Sequence, residues 1–217
     1  MPRWFVPAVL FASIGLAASL IVLFVVTRNG PGTDGTTQAQ VLEGFAVPVF
    51  SLLDQTGATV DETIFDGKVT IVDFIFTNCP FICPGMTARM SELSATLEGT
   101  EVQFVSFSVD PEHDTPEQLA AYGADVGADP ERWRFLTGEI GQIATILRET
   151  LFFELEVRSE QKIKLKDGSE MLNIFHPPHL VLIGPDRSVR FLAPYQMQDQ
   201  CDRLGEMAAD LARAGAG

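Results

Sequence analysis

Two eight-residue runs, "VTIVDFIF" (69–76) and "VQFVSFSV" (102–109), limit what this 217-residue chain can fold into more than any other feature. A strand with one wet face alternates apolar and polar residues, and the first run does not. Both runs are short, and both are rich in β-branched and aromatic residues. They therefore read as strands covered on both faces, as in the parallel part of an α/β sheet. Helical cover is available between and after them. Met86, Met90, Leu93 and Leu97 recur at helical spacing, as do Ile140, Ile143, Leu147 and Leu151. Thr115, Pro116 and Gln118 have the types expected at the cap, first and third positions of another helix.

Short β-like pieces flank the turn from Asp54 to Gly57, "HLVLIGPDRSVRFLA" (179–193) reads as a hairpin, and a last helix is expected over about 199–213. This order predicts an α/β, thioredoxin-like sandwich over residues 41–217. Its first two long strands should be parallel and its late hairpin antiparallel to them.

Ahead of the domain, residues 8–26 form nineteen consecutive uncharged residues between Arg3 and Arg28. That is enough to cross a bilayer and longer than the usual apolar region of a secretory signal, about 7–15 residues. Residues 1–28 are expected to be an uncleaved transmembrane anchor, and the Gly/Thr-rich stretch 29–40 a flexible linker. The weak charge bias keeps the N-terminus inside. It predicts a single-pass protein of the cytoplasmic (inner) membrane with its soluble domain in the periplasm or extracytoplasmic space. The net charge of −14, without any Lys/Arg cluster, excludes nucleic acid as a partner.

The chemistry gathers just past the first buried strand, at "FTNCPFICPGM" (76–86). In open α/β sheets, sites lie beyond the carboxyl ends of the parallel strands. Cys79 and Cys83 follow one such end and Asp110 the other. A strand antiparallel to these starts at the same rim, which brings in the "FHPPH" stretch with His176 and His179. Thiolates near a helix N-terminus are stabilised, and with imidazole they suit copper. Spacing alone leaves a disulfide, a redox pair and a soft-metal site open. His179 is expected to pack at a strand start, His113 to be solvated, and Met86 and Cys201 to be core. Asp110 is expected to hydrogen-bond near the site or to cap the following helix.

"FTNCPFICP", together with "SVDPEHDTPEQLAAYG" and the histidine before "LVLIGPD", resembles the SCO/SenC family of membrane-anchored, thioredoxin-like copper proteins. The resemblance implies copper bound by Cys79, Cys83 and His176, with the two cysteines also able to form a redox disulfide. It implies a chaperone for the CuA centre of cytochrome c oxidase, with subunit II or another copper-site client as partner. The alternative is a thiol-disulfide oxidoreductase that reduces client cysteines. The chain departs from the family pattern in having Phe175-His176-Pro177 around its histidine and His113 in the "DPEHD" loop.

Overall fold

The computed structural model describes residues 45–165 and 168–215. The expected anchor and linker lie outside them, and among the described residues no helix is long and apolar enough to cross a membrane.

Strands β1 (Ser51–Asp54) and β2 (Thr59–Asp61) form a hairpin around the turn from Asp54 to Gly57, where Asp54 accepts from the backbone of Thr56 and Ala58. β3 (Val69–Ile75) is buried at every residue, and β4 (Val102–Ser108) nearly so. The two run parallel, in register from Val69 opposite Val102 to Ile75 opposite Ser108. Helix α1 (Cys83–Thr96) follows β3, and α2 (Pro116–Asp125) follows β4, opened by the Thr115 cap that accepts from the Gln118 N–H at 3.3 Å.

A further central strand, β5 (Trp133–Thr137), pairs in parallel with β4. The sequence did not announce it, because Arg134 interrupts a run of only five residues. Trp133 and Phe135 stack at 5.3 Å between ring centroids, while Arg134 reaches Asp54 of β1 at 2.7 Å. Helix α3 (Ile140–Leu151) follows, capped by the Glu139 carboxylate. A second unannounced element comes next, the hairpin β6 (Glu156–Lys164) and β7 (Glu170–Phe175), which forms its own two-stranded sheet. Its charged residues hid it from a search for apolar runs.

The expected late hairpin is β8 (His179–Ile183) and β9 (Val189–Pro194), and α4 (Gln198–Gly215) closes the chain. The seven-stranded sheet has the order β2-β1-β5-β4-β3-β8-β9. β8 runs antiparallel to β3, so its start shares a rim with the ends of β3 and β4. Phe50, Phe65, Phe74 and Phe107 pack as a buried aromatic cluster, burial of the kind that dominates core energetics. On the other flank, α1 lies so close to Tyr195 that a Cβ at Gly85 would fall 2.6 Å from its ring.

Candidate metal centre

The chain leaves β3 through Phe76, turns so that the Cys79 N–H donates to the Phe76 carbonyl at 3.1 Å, and starts α1 at Cys83 with Pro84 in the first turn. The turn and the helix start thus place two sulfurs on one side of the loop. His176 comes from the short link between β7 and β8, with its ring edge-on to Phe76 at 5.8 Å. Cys79 is 8% exposed, while Cys83 and His176 are each 1% exposed. The two sulfurs and an imidazole nitrogen all lie within 4.8 Å of one another, and Cys83 Sγ is 3.3 Å from His176 Nε2. Donors bound to one ion at roughly 2.0–2.3 Å stand about 3.5–4 Å apart. Small side-chain adjustments would therefore suit this set to one metal ion. All three cysteines are unbridged.

Electrostatics divide the pair. The Cys79 thiol is held well below the ordinary range because the Cys83 S–H donates to its thiolate, with His176 and the backbone N–H groups of Cys83 and Phe81 assisting. Cys83 is pushed up, first by its burial and then by the neighbouring Cys79 charge. The thiolate form is thus favoured on Cys79, the more accessible of the two sulfurs. Beneath it in β3, burial raises the Asp73 carboxyl to about 7, although it accepts from Ser106 Oγ at 2.6 Å.

His113 is exposed, as the sequence implies, and its Nδ1 sits 2.9 Å from the Asp110 carboxylate, which raises the imidazole pKa. Asp110 thus spends its side chain on His113, three residues on, and the Thr115 hydroxyl caps α2 instead. The buried carboxylate that ties the cysteine loop to the second strand is Asp114. It accepts from Thr77 N–H at 3.2 Å, from Thr77 Oγ1 at 2.6 Å and from Ser108 Oγ at 2.6 Å. Sequence reasoning passed over it; the available signal was a second aspartate four residues into the same rim loop. His179, half-buried at the start of β8, lies outside the three-donor group. Met86 and Cys201 are fully buried.

The SCO1/SenC family model matches residues 39–213, which include Cys79, Cys83 and His176. The chain belongs to the SCO1/SenC family. Among its SCO1/SenC relatives, the SCO1 protein homolog of Bacillus subtilis is 35% identical over 177 residues, spanning 81% of this chain and 84% of that one. A relative from Stutzerimonas stutzeri, whose name ascribes copper binding to it, is 30% identical over 148 residues, 67% of each chain. The solved structure of BsSco, described as carrying a disulfide switch and as a member of the Sco family of cytochrome c oxidase assembly proteins, matches with a TM-score of 0.62. It is 30% identical, and the match covers 79% of this chain and 94% of that one. The α/β, thioredoxin-like architecture is that of Sco structures.

Proposed function

We propose that this protein is a membrane-anchored copper carrier that holds one copper ion on Cys79, Cys83 and His176 and passes it to a copper site of cytochrome c oxidase. The client that the family resemblance implies is the CuA centre of subunit II. The observation that carries the reading is the convergence of two sulfurs and one imidazole within 4.8 Å at a nearly buried point of the rim. Soft thiolates select Cu(I), and imidazole suits either copper oxidation state. A closed structural zinc site takes four protein ligands, and this group supplies three. The Stutzerimonas relative's name supports the choice of metal, and the assembly role of BsSco supports the choice of client.

The chain's own groups prepare the exchange. Because the Cys79 thiol is held low and the Cys83 thiol is pushed up, binding would release a proton chiefly from Cys83, and His176 Nε2 stands 3.3 Å from Cys83 Sγ. Residues 8–26 would keep the carrier at the outer face of the membrane. The twelve residues 29–40 would give it a root-mean-square reach of about 20 Å as a flexible coil.

One observation favours a second reading. A thiolate accepting from a neighbouring thiol is also the arrangement of a dithiol reductant. In that role Cys79 attacks a client disulfide and frees one client thiolate. Cys83 then loses its proton and attacks Cys79, closing the Cys79–Cys83 bond and releasing the second client thiol. Two electrons pass to the client. Both readings use the same sulfurs at different times.

The test is copper stoichiometry on the full chain before and after oxidation of the cysteine pair. Reduced protein should hold one Cu(I), disulfide-bonded protein none, and re-reduced protein one again. Equal retention by the oxidised form would remove both cysteines from the ligand set.

A further inference from the structure

Two grooves open among the described residues near the sheet rim. The larger, about 550 Å3, lies between the loop after β4 and the β6–β7 hairpin, where Val109, Ile140 and Ile174 meet Asp110, Glu112 and Glu170. None of the three donors lines it. The smaller, about 370 Å3, runs between α1 and α2 and takes in Cys79 at the helix N-terminus. On α1 it follows Pro84, Thr87, Ala88 and Ser91, the i, i+3, i+4, i+7 positions of one helix face. The opposite wall is Tyr122 and Val126, and no charged side chain lines the groove. The walls are tied together across it. Thr87 Oγ1 and Tyr122 OH stand 2.7 Å apart, and Ser91 Oγ donates to the Val126 carbonyl at 3.3 Å. From Pro84 to Ser91 the helix rises roughly 10 Å, the length of about three residues of extended chain.

We propose that the α1–α2 groove docks an uncharged, extended, cysteine-bearing segment of the protein that exchanges copper with this one, and that the segment presents its sulfur to Cys79. The inference rests on Cys79 being a copper donor. A groove that ends on a soft donor is useful to an occupant that brings another soft donor there. Its neutral walls would strip water from a charged side chain and return no counter-charge. Cys79 is also the most accessible of the three donors, so it is the one an incoming ligand can replace. In the exchange, the incoming thiolate forms a sulfur–copper bond as the Cys79–copper bond breaks. Cys79 keeps its electron pair, and copper keeps its oxidation state. Cys83 and His176 hold the ion meanwhile.

The experiment uses the full chain, free of metal, with Cys83→Ser so that Cys79 cannot be resolved; Cys201 is fully buried and does not compete. Two reagents carry the same aromatic thiol as leaving group. One is a methyl mixed disulfide and the other a mixed disulfide of a short uncharged peptide with a central cysteine. In each, Cys79 attacks the alkyl or peptidyl sulfur, and the aromatic thiolate leaves with the electron pair and is read by absorbance. Adding Ala88→Glu should slow the peptide about tenfold and leave the methyl reagent unchanged, whereas Ile140→Glu, in the larger groove, should slow neither. The proposal is overturned if Ala88→Glu leaves the peptide rate unchanged, if it slows both reagents alike, or if Ile140→Glu slows the peptide instead. No metal takes part, so a protein that fails to bind copper would refute the carrier reading without altering these rates.

Discussion

Replacing Asp73 with asparagine should flatten the pH dependence of stability by about 3 kcal/mol between pH 5 and pH 8. The carboxyl lies in the fully buried β3, with one oxygen accepting from Ser106 Oγ at 2.6 Å and the other without a hydrogen-bond partner among the described residues. Burial lifts its pKa from 3.8 to about 7. A raised acid is stabilising while protonated. Between the unfolded and folded pKa values the native state keeps a proton that the unfolded chain has lost, so stability falls as pH rises through that window. The slope is about 1.4 kcal/mol per pH unit, and some two units of the window lie above pH 5, which gives the figure of about 3. Asparagine keeps the acceptor for Ser106 and places an N–H2 where the protonated acid has its O–H, so near pH 5 the two proteins should be similar. Urea melts at both pH values measure the difference. The wild-type midpoint should fall relative to Asp73→Asn by about 1–1.5 M between them. Parallel curves at the two pH values would mean that Asp73 is ionised in the folded protein and that its burial has been misread. The Asp73 charge is also among the influences that raise the Cys83 thiol, so the substitution should ease Cys83 deprotonation.

Asp114→Ala removes the acceptor for Thr77 N–H, Thr77 Oγ1 and Ser108 Oγ together, and should cost about 3 kcal/mol, or roughly 6–12 °C in Tm. A calorimetric Tm within a degree of wild type would show that Asp114 does not fasten the cysteine loop. Copper affinity of the reduced protein should rise about tenfold per pH unit while Cys83 remains protonated, because each ion bound displaces that proton. Competition titrations against a chelator of known proton affinity read the slope, and a flat profile would mean that Cys83 is not a ligand.

The parts of the fold legible in the sequence were those set by burial or by local capping. The strand "VTIVDFIF" has no wet face, and Thr115 and Pro116 mark a helix start through local hydrogen bonding alone. β5 and the β6–β7 hairpin escaped because polar residues interrupt their apolar pattern, and the partner that Arg134 finds in Asp54 lies eighty positions away in the sequence. At the site, topology brought Cys79, Cys83 and His176 to one rim before any contact was known. Which aspartate serves the cysteine loop could not be read in the same way. Asp110 and Asp114 share the loop, and only the backbone path after β4 decides that Asp114 faces Thr77 while Asp110 faces His113.

The assignment of His176 bears most directly on the carrier reading, because the alternative imidazole stands only three residues away. His176 Nε2 is 3.3 Å from Cys83 Sγ, whereas His179 already belongs to β8 and lies outside the three-donor group. The decisive measurement is a Cu(II) titration of the reduced full chain carrying His176→Ala or His179→Ala, followed by the thiolate-to-copper charge-transfer band. The band should be lost in His176→Ala and kept, at one copper per chain, in His179→Ala. Retention in His176→Ala with loss in His179→Ala would contradict the three-donor site.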